Sequence, residues 1–462
     1  MNSSTQSSPV SRHPSVLKYA EHINPAFIKL LGMFRYGRVL EKARDVWIWD
    51  HDDTRYLDAL SSYGAANIGH NHPRLTQRLK DFLDDGILNL VHVGPSTHQG
   101  DLAAKLTDLA GEGIDVALMT NSGAEAVEAG MKLARAATQR EDFIFCEESY
   151  HGTTMGTLSI MGHERMRRQF QPLLGNCHSF VFGDLDGLET LLKTHRTAGV
   201  VIDPGLCEAG VLVPPAGFLE GVQKLCRKYG ALLILDEVQT GLGRTGKLFA
   251  FQHEGFVPDI ICLAKSLSGS IVPIGAAMTH KALYQKALNS VESFDVFFST
   301  FGGNSFACAA ASETLDILSD ENLVENSAAL GAFVLESLRS RLSGHPLVRE
   351  IRGRGLFIAI ELGPTDSGWI NKLAPALVRG VSKNIFGQWA AVKLLERQVI
   401  CQPATHNWNI LKLMPPLTLQ KAEAEMLVDS VVDVLSEYRG VASIVKDATG
   451  RLGQQFLSGW AF

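Results

Sequence analysis

Between about residues 112 and 310 the chain alternates two hydrophobic patterns. Short apolar runs with no polar interruption are "DVALMT", "DFIFCE", "SFVFGD", "GVVIDP", "ALLILDEV" and "DIICLA". Between several of them lie stretches with apolar positions three and four residues apart, such as "AEAVEAGMKLARAAT" and "GFLEGVQKLCRKYG". Unbroken apolar runs read as strands covered on both faces, and the wider spacing reads as amphipathic helix. Their alternation predicts an α/β fold around a mostly parallel sheet. Ligands on such sheets gather at the carboxyl ends of the strands. The flanks differ. "VWIWDHDDTRYLDAL" predicts a hairpin with a DD turn, and after about residue 335 the pattern changes to "HPLVREIRGRGLFIAIEL" and then to helix. The expected division is a disordered tail over 1–16, a small-domain segment over 17–80, a large domain over 81–335 and the rest of the small domain over 336–462.

Composition narrows the function by exclusion. The 462 residues are 45% hydrophobic and 20% charged, with a net charge of -6, which fits a soluble two-domain protein and gives no basic surface for nucleic acid. The opening "MNSSTQSSPVSRHPS" has no apolar core for a secretory signal, and no run of about 18 apolar residues is long enough to span a membrane. The seven cysteines are scattered without a CxxC pair. They read as buried thiols of a reducing, cytoplasmic setting, with no zinc or disulfide framework and no metal site expected.

Chemistry concentrates at the predicted strand ends. In "PDIICLAKSLSGS" an apolar run stops on Lys265. Either its stem is buried with the ammonium in water, or desolvation lowers the amine's pKa and makes it a nucleophile. In "MTNSGAEAVEAGMKLAR" Ser122 and Glu125 have capping-box spacing at a helix start. Gly123 there permits close backbone approach, so the turn is either an ordinary capped helix or a phosphate cradle. Asp236 and Glu237 end a very apolar strand in "LLILDEVQTGLGRTG", as a cap, a salt bridge or a carboxylate that keeps a ring nitrogen protonated. "ESYHGTTMG" offers Tyr150 beside His151 on a loop, for core packing or for stacking on a planar ligand. "FFSTFGGNSFACAAA" offers Ser299 and Thr300, as helix caps or phosphate ligands.

Taken together, these segments resemble the class III (ornithine/ω-amino acid type) aminotransferases of pyridoxal 5′-phosphate (PLP) fold type I. "EHINPAF" and "LDEVQTGLGRTGKLFA" are most similar to the putrescine aminotransferase group, and the length resembles aminotransferases that build amino-hopanoids. The resemblance implies a seven-stranded, mostly parallel sheet with helices on both faces, a smaller α+β domain built from both termini, and a homodimer with shared active sites. It implies that Lys265 carries PLP as a Schiff base and shuttles a proton between Cα and C4′. Asp236 would pair with the pyridine nitrogen. Val238 and Tyr150 would cover the two ring faces, with His151 in the same site, and Gln239 would lie near the phenolic oxygen. Ser122, Gly123 and Ala124 would hold the phosphate, and Thr300 would reach the phosphate of the neighbouring subunit.

Departures from that family bear on the substrate. Where ornithine and GABA aminotransferases carry a carboxylate-gripping arginine after the aromatic-x-Gly turn, this chain has Thr153. Where relatives carry a second arginine before Pro-Pro, "WNILKLMPPL" has Lys412, a point charge without the two-pronged fit of guanidinium. The family's switch glutamate matches Glu208, which is expected to pair with Lys412 until a 2-oxo acid needs that cation. These features imply ping-pong transamination between a primary amine or its aldehyde and a 2-oxo acid such as 2-oxoglutarate or pyruvate. The amine would lack an α-carboxylate, as in putrescine or a bulky lipid-like amine. An ornithine, acetylornithine or GABA type is the alternative, with a PLP decarboxylase or aminomutase behind it. The stretch 363–394 repeats Leu373, Leu377, Val381, Ile385 and Trp389 every four residues, for packing on the small domain or the dimer partner, or as a wall for a lipid-like substrate.

Overall fold

The computed structural model describes residues 13–33, 38–288, 290–293, 295–363, 375–438, 440, 444 and 447. The hairpin is present: β1 (Leu40–Arg44), β2 (Trp47–Asp50) and β3 (Arg55–Asp58) pair antiparallel. Asp50 makes its turn by accepting the Asp52 and Thr54 amides, each at 3.0 Å. The tail expected over 1–16 lies outside the described residues as far as 12, and a helix already begins at Pro14.

The central sheet has seven strands: β4 (Val116–Thr120), β5 (Asp142–Cys146), β6 (Cys177–Phe180), β7 (Thr197–Ile202), β8 (Leu232–Asp236), β9 (Ile260–Leu263) and β10 (Gly275–Thr279). Their spatial order is β4-β10-β9-β8-β7-β5-β6, parallel throughout except that β10 runs against both neighbours. All residues of β7, β9 and β10 are buried, as uninterrupted apolar runs require.

Two details differ from the sequence reading. The run "SFVFGD" supplies only its first two residues to β6, which ends at Phe180. Val181 is exposed, Gly183 turns at φ +93°, and Asp184 caps the next helix through the Gly187 amide at 2.9 Å. The strand β10 carries no strong β-former until Met278 and Thr279. Its small residues are dictated by the fit: a Cβ on Gly275 would lie 2.5 Å from Thr120 Oγ1.

The later strands β11 (Val348–Arg354), β12 (Phe357–Leu362), β14 (Gln402–Pro403) and β15 (Ile410–Leu413) form a second sheet, with β13 (Val399–Ile400) between β12 and β14 in sequence. The two-residue β13 joins β3 in parallel, so segments from both ends of the chain share one sheet. A helix covers Pro375–Glu396. Phe386, Trp389, Ala391 and Leu394 on it are buried in the main core, which is the packing role expected for this part of the stretch. Leu373 and the side chains of Leu377, Val381 and Ile385 lie outside the described residues. Cys146, Cys177, Cys207, Cys226, Cys262 and Cys308 are free thiols. Among the described residues no helix is long and apolar enough to cross a membrane.

Candidate active site

The carboxyl ends of β4, β7, β8 and β9 surround a cavity of about 410 Å³ that receives almost every residue singled out in the sequence. Lys265 follows β9 by two residues and is held at φ +45°, a left-handed conformation that strains a side-chain-bearing residue. Its side chain is half-buried, enters the cavity and donates from Nζ to Gln239 Oε1. Gln239 is fixed in turn by donating Nε2 to the Tyr63 carbonyl at 2.8 Å.

Asp236 ends β8 and is 3% exposed. One carboxylate oxygen accepts the Val238 amide at 3.1 Å, and the other lies 2.8 Å from His151 Nδ1. His151 therefore braces the acid. Burial pushes the imidazole pKa down, but the Asp203 and Asp236 carboxylates outweigh it and hold it above the ordinary value. Asp203, just beyond β7, stands 3.9 Å from the same nitrogen and accepts the Tyr150 amide at 3.4 Å. Burial raises its pKa. Tyr150 itself lines the cavity.

At the far wall the helix Gly123–Thr138 points its first turn into the cavity, where the Gly123 and Ala124 amides have no acceptor within the helix. Ser122 Oγ caps it by accepting the Glu125 amide at 3.2 Å. The return half of the capping box is displaced by one residue, since Glu125 takes the Asn121 amide at 2.7 Å. A Cβ on Gly123 would stand 2.9 Å from Val238 Cγ1. This is a bare-backbone cradle next to an apolar wall, and with a buried carboxylate and a lysine opposite it fits a phosphorylated pyridine. Thr300 is exposed and lies outside the cavity of its own chain, as does Thr153.

Glu208 lines the cavity, and Lys412 lies directly behind it. Lys412 on β15 is wholly buried and donates Nζ to both Glu208 oxygens at 2.8 Å. Thr405 donates its amide at 3.1 Å and its hydroxyl to Glu208 Oε2. Burial would raise the Glu208 carboxyl, but Lys412 and Thr405 outweigh it and hold it at about 2. Burial would lower the Lys412 ammonium, but Cys207 and Glu208 raise it. Both groups are thus charged, as a buried pair must be to persist.

A depressed carboxyl pKa stabilises the fold above the unfolded value and loses that contribution as pH falls through the folded one. With Glu208 near 2 against an ordinary 4.5, about 3 kcal/mol should vanish between those limits. Urea denaturation of the native chain should show this acid loss and Glu208→Gln should lack it. Equal pH slopes would remove the ion pair from the stability balance.

Four residues here escaped the sequence reading. Asp203 closes "GVVIDP" at a strand end, the rule that found Asp236, and was legible in principle. Tyr63 places its ring 5.3 Å from Lys412 Nζ on a left-handed turn, with Ser61, Ser62 and Tyr63 all at positive φ. Arg244 anchors that turn by donating to Ser61 Oγ at 2.9 Å and to the Pro415 carbonyl at 2.6 Å. Thr405 sits on the β14–β15 loop and carries no pattern of its own.

The family model for class-III aminotransferases matches residues 34–435. Ornithine aminotransferase 1 of Staphylococcus aureus is 35% identical over 86% of this chain and 94% of its own length. Putrescine aminotransferase of Pectobacterium atrosepticum is 34% identical over 91% and 88%. Aminotransferase PigE of a Serratia species is 33% identical over 92% of this chain, which spans 54% of that longer protein. Among solved structures, ornithine aminotransferase from Toxoplasma gondii superposes with a TM-score of 0.78 at 31% identity, covering 87% of this chain and 91% of that one. A PLP-bound amine transaminase from an uncultivated Pseudomonas species gives 0.78 at 29% identity, covering 87% and 95%. The chain belongs to the class-III aminotransferases, enzymes of PLP fold type I that depend on PLP.

Proposed function

We propose that this aminotransferase moves an amino group between a primary amine, or its aldehyde, and a 2-oxo acid in two alternating half-reactions, and that the amine carries no α-carboxylate. The observation that carries the reading is the way Glu208 shields Lys412. Among the described residues lining the cavity Lys265 is the single lysine or arginine, while Lys412 is wholly buried, bonded to Glu208 and outside the lining. Thr153 stands exposed where an arginine would serve a carboxylate. Beyond Lys265, which the cofactor would occupy, the carboxylate of an amino acid therefore meets no lysine or arginine in this resting site, whereas a diamine or long-chain amine needs none.

When bound, PLP supplies an electron sink for the carbon that loses its proton. The chain's residues do the rest. Lys265 carries the proton, with Gln239 orienting its Nζ. Asp236, braced by His151, would keep the ring nitrogen protonated. Val238 and Tyr150 would cover the ring faces, and Ser122, Gly123 and Ala124 would hold the phosphate. Thr300, exposed on its own subunit, would reach the phosphate of the second copy in a homodimer. The 2-oxo acid partner is 2-oxoglutarate or pyruvate. The ornithine type remains the second reading because relatives bearing that name are 35% identical.

The test is a panel of putrescine, cadaverine, a long-chain amine, ornithine and GABA, each added alone to the PLP-loaded enzyme. Simple amines should convert the cofactor absorbance stoichiometrically to that of its amine form without releasing CO2. Conversion confined to ornithine or GABA would contradict the substrate class, and CO2 release would contradict transamination.

A further inference from the structure

We propose that Thr405 is the second half of the receptor for the carboxylate of the 2-oxo acid, with Lys412 as the first. This rests on the reading above, in which Glu208 steps aside for that substrate.

The chain's own carboxylate marks where a substrate carboxylate fits. Glu208 collects Lys412 Nζ on both oxygens at 2.8 Å, and on Oε2 also the Thr405 amide at 3.1 Å and the Thr405 hydroxyl. Lysine is a point charge that cannot impose the planar two-pronged geometry of guanidinium. The amide and hydroxyl of Thr405 add the direction that the ammonium lacks, so the three donors together read a planar anion.

The backbones that carry these donors are held without the Glu208 side chain. Lys412 lies within β15, in register with Ala359 and Gln402 on either side. The Thr405 loop is tied down by other bonds. The His406 amide donates to the Glu208 carbonyl at 3.0 Å, Asn407 Nδ2 to the Ala209 carbonyl at 2.9 Å, and Arg165 Nη2 to the Thr405 carbonyl at 3.2 Å. When Glu208 swings out, a buried ammonium, an amide and a hydroxyl lose their acceptor together, which is costly unless another anion replaces it. A 2-oxo acid supplies that anion. A simple amine does not, and leaves Glu208 in place.

Thr405 bonds Glu208 in the closed state and the substrate in the open one, so the two losses partly cancel in the native background. The decisive background is therefore Glu208→Ala, or Glu208→Gln should the alanine variant fail to fold. In the PLP-loaded enzyme, glutarate binding is read from the cofactor absorbance and the KM is measured for 2-oxoglutarate. Removing Glu208 should tighten glutarate. Adding Thr405→Val should then weaken glutarate and raise the KM about tenfold, as for a lost hydrogen bond to a charged group. Thr405→Ser should restore both. If Thr405→Val changes neither in this background while Lys412→Met weakens both, the assignment of Thr405 fails alone. If Lys412→Met changes neither, the switch itself fails and this inference with it.

Discussion

Lys265→Ala is expected to lower kcat for amine transfer by about 10⁴-fold or more, because in the proposed mechanism one side chain supplies both the nucleophile and the proton carrier. The alanine variant should still fold. Lys265 is half-buried, and its side-chain bond goes to Gln239, which keeps the Tyr63 carbonyl at 2.8 Å as a partner. Replacing a residue held at φ +45° by alanine leaves the backbone strain unchanged. Single-turnover measurements with putrescine and an unchanged circular dichroism spectrum would establish the effect as chemical. Retention of more than a tenth of the native rate would place the proton transfer on another group.

Asp236→Asn is expected to lower kcat by about 10³-fold, in the range for loss of one preorganised electrostatic partner in a dry site. The amide keeps the shape and can still accept the Val238 amide, which the native oxygen does at 3.1 Å. It removes the charge that holds a ring proton, and it leaves His151 with Asp203 as its remaining acid at 3.9 Å. Asp236→Glu should keep more activity than the asparagine variant, since charge matters more than reach. Steady-state rates for the two variants decide it. A native-like asparagine variant would mean that the ring nitrogen needs no acid.

The parts legible in the sequence are those encoded locally. An apolar run and the polar residue that ends it lie within a few positions, so the ends of β8 and β9 pointed to Asp236 and Lys265 directly. The Ser122–Gly123 turn was legible for the same reason. What was lost depends on contacts between distant residues. The strand β10 is built from small residues because Gly275 packs against Thr120, a constraint invisible to β-propensity. Tyr63 and Thr405 enter the site through a left-handed turn and a loop whose partners, Gln239 and Glu208, lie far away in the chain. The bracing of Asp236 by His151 follows the same rule: both residues were in view, and the bond between them was not.

The most direct measurement is borohydride reduction of the PLP-loaded native chain, followed by peptide mass mapping. A single reduced phosphopyridoxyl adduct on Lys265 is the predicted result, and its absence there, or its presence on a different lysine, would contradict the assignment of this site.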